Sequence, residues 1–199
     1  MANILKETMR GTETVRIEDE MLKNRKIFLV DEIDAKSSNE LIKQLMYLEQ
    51  EDESAEVTIY INSPGGEVIS GLAVYDYIQL MTAPVNTVCI GTAASMGAIL
   101  FLAGKSRRML PHTRLMIHDP SYGSGNISGR KSHEIQHELD KLNEIREALA
   151  EIIAEKTGKD MEEIYKVTAE DTYFSAEEAM AFGLATQIIT NGRDLGKGA

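Results

Sequence analysis

Short runs of aliphatic and β-branched residues alternate with stretches of helical periodicity along most of this chain, and that alternation leaves an α/β fold as the natural outcome. Lys26 to Val30 (KIFLV) reads as a first strand. Asn39 to Gln50 follows, with Leu41, Ile42, Leu45, Met46 and Leu48 at helical spacing. Glu56 to Ile61 (EVTIYI) predicts a second strand, closed by Asn62-Ser63-Pro64-Gly65-Gly66. A helix is expected from about Glu67 to Met81, where Thr82-Ala83-Pro84 ends it. Val85 to Ile90 predicts a third strand, which leads through Gly91-Thr92-Ala93-Ala94 into a helix starting near Ser95. Arg114 to His118 (RLMIH) predicts a fourth strand, stopped by Asp119-Pro120.

The character then changes. Ser121 to Gly129 is a Gly- and Ser-rich loop, and a long polar helix is expected over Arg130 to Thr157 with Gly158 as its C′ residue. The apolar stripe of that helix is narrow: Ile135, Leu139, Leu142, Ile145, Leu149, Ile152 and Ile153. On an otherwise charged helix it predicts a projecting element that packs against another subunit. A short helix near Met161 to Tyr165, an extended segment from Asp171 to Phe174, a helix from Ser175 and a strand over about Leu184 to Ile189 complete the reading. Only the two ends read as loose, the last of them being NGRDLGKGA.

The 199 residues suffice for one domain with a full core, so a single domain over 1–199 is expected. A net charge of -11 argues against nucleic acid as a partner, because phosphate binding needs clustered Lys and Arg. Cys89 is the only cysteine, so no internal disulfide can form, and it reads as a small buried apolar residue. The first twenty residues lack the apolar centre of a secretory signal, and the apolar stretch Ala93 to Ala103 is too short and Gly-interrupted to span a bilayer. No membrane association and a cytoplasmic location are the expectation.

Several residues are candidates for chemistry. Ser95 follows an apolar strand and a turn of small residues and opens a helix, where free N–H groups could receive a developing oxyanion. The same position suits a plain N-cap serine. Ser63-Pro64-Gly65-Gly66 lacks bulky side chains and could offer N–H donors, or be a tight turn and nothing more; it is neither a P-loop nor a G-x-G-x-x-G. His118, at a strand end, is the stronger candidate base, with a hydrogen-bonded structural histidine as the alternative, while His112 reads as a surface residue. His133-Glu134-Ile135-Gln136-His137 has the H-E-x-x-H spacing of zinc peptidases. Its helix is charged and its histidines lie off the apolar stripe, so solvent-facing histidines are expected and no metal site. Asp171 stands at an element boundary, one of many possible carboxylates.

Four blocks together resemble the Clp protease proteolytic subunit (ClpP): Ile59 to Gly66 (IYINSPGG), Gly91 to Ala98 (GTAASMGA), Leu115 to Pro120 (LMIHDP) and Ser175 to Leu184 (SAEEAMAFGL). The resemblance runs from about Arg10 to Ile189. It implies a ClpP/crotonase-like spiral of β-β-α units with a projecting handle helix, the loop and handle occupying about 121–157. It implies a serine endopeptidase with Ser95 as nucleophile, His118 as base and Asp171 as its orienting carboxylate, and with the N–H groups of Gly66 and Met96 holding the oxyanion. It also implies heptameric rings, stacked through the handle into a tetradecamer. A Clp AAA+ unfoldase would feed them unfolded polypeptides and hydrolyse the ATP, with no cofactor in the chain itself. Family members usually carry Gln after the histidine, where this chain has Asp119, and Arg before the aspartate, where it has Ala169-Glu170. Thr58 replaces a second aromatic of the unfoldase-docking groove, while Tyr60 matches. A non-catalytic ring subunit partnering an active paralogue, a crotonase-like acyl-CoA enzyme and a zinc peptidase are the competing readings.

Overall fold

The computed structural model describes residues 2–9, 11–121 and 129–192. The chain opens on an antiparallel hairpin, β1 (Asn3–Thr8) and β2 (Gly11–Arg16), paired from Asn3↔Arg16 to Thr8↔Gly11, and runs directly into α1 (Ile17–Lys23). The N-terminal segment, expected to be loose, is therefore ordered into strands. Its few apolar residues, Ile4, Leu5 and Val15, do not alternate with polar ones along a strand, and the hairpin is almost wholly exposed, so no apolar period marks it in the sequence.

The alternation expected from residue 26 onward is present as β3 (Lys26–Ile33), α2 (Ala35–Glu51), β4 (Val57–Gly66), α3 (Val68–Leu80), β5 (Val85–Ala94) and α4 (Met96–Leu102), and a strand the sequence did not predict, β6 (Arg107–Met109), follows. These strands pair in parallel in the order β3-β4-β5-β6, and β9 (Gln187–Ile188) extends the far edge. β7 (Arg114–Ile117) takes the second half of β5 and is flanked in turn by β8 (Thr172–Phe174), the one antiparallel pair in this seven-stranded sheet. The result is the mixed α/β architecture with a mostly parallel sheet that the sequence predicts.

Two strands run further than their β-formers suggest. β4 carries on through Ser63-Pro64-Gly65-Gly66, and β5 through Gly91 to Ala94. The ladder itself holds these small residues: Ser63 pairs with Ala93, and the Glu67 N–H donates to the Ile33 carbonyl at 2.8 Å. Helix α2 starts earlier than its stripe, at the capping box of Asp34 and Ser37, and buries Leu41, Leu45 and Leu48 while Met46 stays exposed. Every residue of α4 is buried, so that helix is the centre of the core.

Helix α5 (Ser132–Thr157) starts two residues later than expected and ends on Gly158 at φ 72°, a conformation glycine tolerates. It divides into two parts. Leu149, Ala150 and Ile153 are buried, whereas Ile135 and Leu139 are 38% and 47% exposed. Most of the expected Ser121–Gly129 loop, and the last seven residues, lie outside the described residues. After α5 come α6 (Met161–Thr168), longer by three residues than its expected end at Tyr165, then β8 and α7 (Ala176–Phe182), capped by Ser175. Among the described residues no helix is long and apolar enough to cross a membrane.

Candidate active site

The C-terminal ends of β4, β5 and β7 meet where parallel strands commonly present functional groups. Ser95 sits between β5 and α4 at φ 54° and ψ −123°, a left-handed backbone for a non-glycine residue that costs about 1–3 kcal/mol. The surroundings hold it there: its N–H donates to the Met116 carbonyl at 2.9 Å, and the buried α4 follows at once. Its side chain makes no capping bond, which disposes of the N-cap alternative. The hydroxyl instead lies 2.8 Å from His118 Nε2.

The His118 ring is three-quarters buried, and its Nδ1 is 3.3 Å from Asp171 Oδ1. An ionised carboxylate only accepts, so this pairing favours the tautomer with its proton on Nδ1 and a lone pair on Nε2 facing the serine hydroxyl. The separation is slightly longer than a made N–H···O bond, as is common in sites without substrate. Asp171 is 63% exposed, so water competes for it.

Met96 is the first residue of α4, and its N–H has no carbonyl one turn back. The turn Gly65-Gly66 presses against it. A Cβ on Gly65 would fall 2.7 Å from both Ala94 O and Ser95 Cβ and 3.0 Å from Met96 N. A Cβ on Gly66 would fall 2.0 Å from Ile33 O. Both glycines have positive φ, 100° and 151°. The Ser63 hydroxyl pins the turn, donating to Asp31 O at 2.6 Å and accepting the Gly65 N–H at 3.2 Å. Ser95, His118 and Asp171 are thus linked in a row and Met96 adjoins the serine, while Gly65 packs on Ser95 and Met96 and its neighbour Gly66 packs on Ile33. Beside it runs a narrow apolar cleft lined by Val68, Met96, Ile99, Ile117, Pro120, Leu149 and Ile153. Leu149 and Ile153 are the α5 residues that the sequence assigns to a subunit contact; here they wall the cleft.

The other candidates lie elsewhere. His133 and His137 are exposed on α5 in a shallow groove with Arg130, Glu134, Glu138 and Lys141. Among the described residues no group of three or more His, Cys, Asp or Glu is placed to hold a metal ion. His112 is exposed. Burial pushes the Cys89 thiol up, so it stays protonated and inert. Asp119, next to the histidine, turns away from the serine toward Thr168 and Arg146.

A model of the Clp protease family matches residues 9–192. The chain belongs to that family. It is of the ClpP peptidase type, and the cleft, the strained serine and the histidine lie within the matched span. Read as a Clp protease, the chain carries site residues that its sequence did not single out. Thr168 and Arg146 lie on helices of ordinary polar character, with no periodic or motif signal to lift them from their neighbours. Val68, Ile99 and Ile117 are indistinguishable in sequence from core residues.

Proposed function

We propose that this chain is a serine endopeptidase, the proteolytic subunit of an ATP-dependent Clp protease. The observation that carries the reading is the 2.8 Å contact of His118 Nε2 with an uncapped hydroxyl on a strained strand-to-helix turn. His118 takes the Ser95 proton as Oγ bonds to a peptide carbonyl carbon, and the N–H groups of Gly66 and Met96 receive the oxyanion. Asp171 keeps the imidazole in the required tautomer and stabilises its charged form. The imidazolium then gives its proton to the leaving amine as the C–N bond breaks. Water, deprotonated by His118, releases the acyl group from Ser95. These steps need no metal or organic cofactor.

Partners follow from family membership and from exposed apolar surface. The uncovered Ile135 and Leu139 on α5 support stacking of two heptameric rings through that helix, and exposed Met46, Ile69 and Leu80 on α2 and α3 support lateral contacts within a ring. A ring-shaped AAA+ unfoldase would deliver unfolded chains and supply ATP hydrolysis, in the cytoplasm. Labelling with a serine-directed fluorophosphonate tests the reading. Modification of Ser95 together with cleavage of a fluorogenic peptide, both lost in Ser95→Ala, is expected. An assembled ring that neither labels nor cleaves would sink it and leave a scaffold subunit, a reading to which the exposure of Asp171 lends some weight.

A further inference from the structure

We infer that Asp119 is a positioning residue that clamps the end of β7, which carries His118, to the segment that carries Asp171, with Thr168 and Arg146 as its two arms. The inference rests on the peptidase reading above. Asp119 makes two bonds to one residue: its N–H donates to Thr168 O at 2.6 Å, and its Oδ1 accepts from Thr168 Oγ1 at 2.6 Å. Its other carboxylate oxygen, Oδ2, lies 2.7 Å from Arg146 Nε in an ion pair whose N–H direction falls short of an aligned hydrogen bond. The Arg146 guanidinium is itself stacked 4.4 Å from the centre of the Tyr165 ring.

The location is what gives these contacts meaning. His118 precedes Asp119, and Asp171 follows Thr168 by three residues. On one side the ladder pairs Ile117 with Thr172; on the other Asp119 holds Thr168. His118 and Asp171 are suspended between those two rungs. Thr172 Oγ1 donates to Val167 O at 2.7 Å and closes the same loop from within. Asp171 is 63% exposed and meets the imidazole at 3.3 Å, so its own contact with His118 is too weak in water to set the geometry. The backbone on either side must set it. Thr168 is 3% exposed, and a buried hydroxyl needs its acceptor. A carboxylate suits position 119 because it only accepts, and both of its partners donate. An amide would turn an NH2 toward one of them.

The test uses the full-length assembled protein, with kcat and KM on a fluorogenic peptide and the rate of fluorophosphonate labelling at Ser95. Thr168→Val keeps the shape and removes the hydroxyl. Asp119→Asn, at a partly exposed site, serves where the valine chain fails to fold. Each is expected to lower kcat and the labelling rate together by ~10–100-fold with KM unchanged, the cost of misplacing reacting groups by a fraction of an ångström. Thr168→Ser restores both. Wild-type kcat in Thr168→Val or in Asp119→Asn overturns the clamp. So does a loss that Thr168→Ser fails to restore, or one that simply tracks a fall in melting midpoint. A wild-type chain that neither labels nor cleaves ends the peptidase reading and the clamp with it. Normal wild-type activity beside unimpaired variants ends the clamp alone.

Discussion

The turn at Ser95 and the outer half of α5 are opposite kinds of structure. The turn is stabilised entirely from within the chain: α4 is fully buried, Gly65 and Gly66 pack on backbone, and the strain at Ser95 is held by the core beneath it. The outer half of α5 has the reverse character. From Lys131 to Lys141 only Glu138 is even partly buried, and the apolar Ile135 and Leu139 are 38% and 47% exposed. Strain can persist only where packing over-determines the backbone, so a reactive turn belongs in the core. An apolar stripe on a charged helix gains its stabilisation from another molecule. One region is finished within the chain, and the other leaves apolar side chains exposed.

The largest effect expected from breaking this contrast is at the turn's centre. Ser95→Ala should cost on the order of 10⁶ in peptidase turnover while leaving the melting midpoint nearly unchanged. Ser95→Gly, equally inactive, should melt higher, because glycine accepts φ 54° without strain. Calorimetry of the two side by side separates chemistry from strain. Gly66→Ala comes next. The added Cβ would drive into the Ile33 carbonyl, which belongs to the sheet and has nowhere to go. A loss of about 3 kcal/mol or more is expected in denaturant unfolding, together with loss of activity.

The two halves of α5 should then respond differently to the same truncation. Ile153→Ala removes a side chain that is 2% exposed and should cost about 2–5 kcal/mol in unfolding. Leu139→Ala, at 47% exposure, should cost the isolated subunit no more than about 0.5 kcal/mol and instead weaken ring stacking, read by sedimentation velocity. Equal unfolding costs at the two positions would erase the distinction between finished and unfinished surface. The smallest effect is expected at the α7 cap, where Ser175 Oγ accepts the Glu178 N–H at 3.2 Å. Ser175→Ala should lower stability by about 1 kcal/mol without touching kcat.

Legibility in the sequence followed the same division. The central alternation from β3 to α4, and β7 beyond it, was readable because these strands and helices differ in apolar period, and those periods are local properties. The N-terminal hairpin was not, since an exposed two-stranded ribbon needs no repeating apolar period and its few apolar residues form none. β6 escaped because Arg107 and Arg108 look polar. In the fold Arg108 is 3% exposed, and the Arg107 guanidinium donates to the carbonyls of Leu184, Gly183 and Lys156. Of the candidate site, Ser95 and His118 stood out by lying at element ends. Asp171 was picked from many carboxylates only through the family likeness, because nothing within a few residues of it announces the imidazole it meets.

By itself the sequence determined the order and kind of the central elements, the small-residue turns that let backbone approach backbone, and membership of the Clp protease family. Each of these is encoded in neighbours along the chain. Only the tertiary structure decided that Asp119 meets Thr168 and Arg146, that Leu149 and Ile153 wall a cleft while Ile135 and Leu139 stay bare, and that Ser95 is strained rather than capped. Those outcomes depend on which distant segments the sheet brings together, and no local period records a contact between residues far apart in the chain.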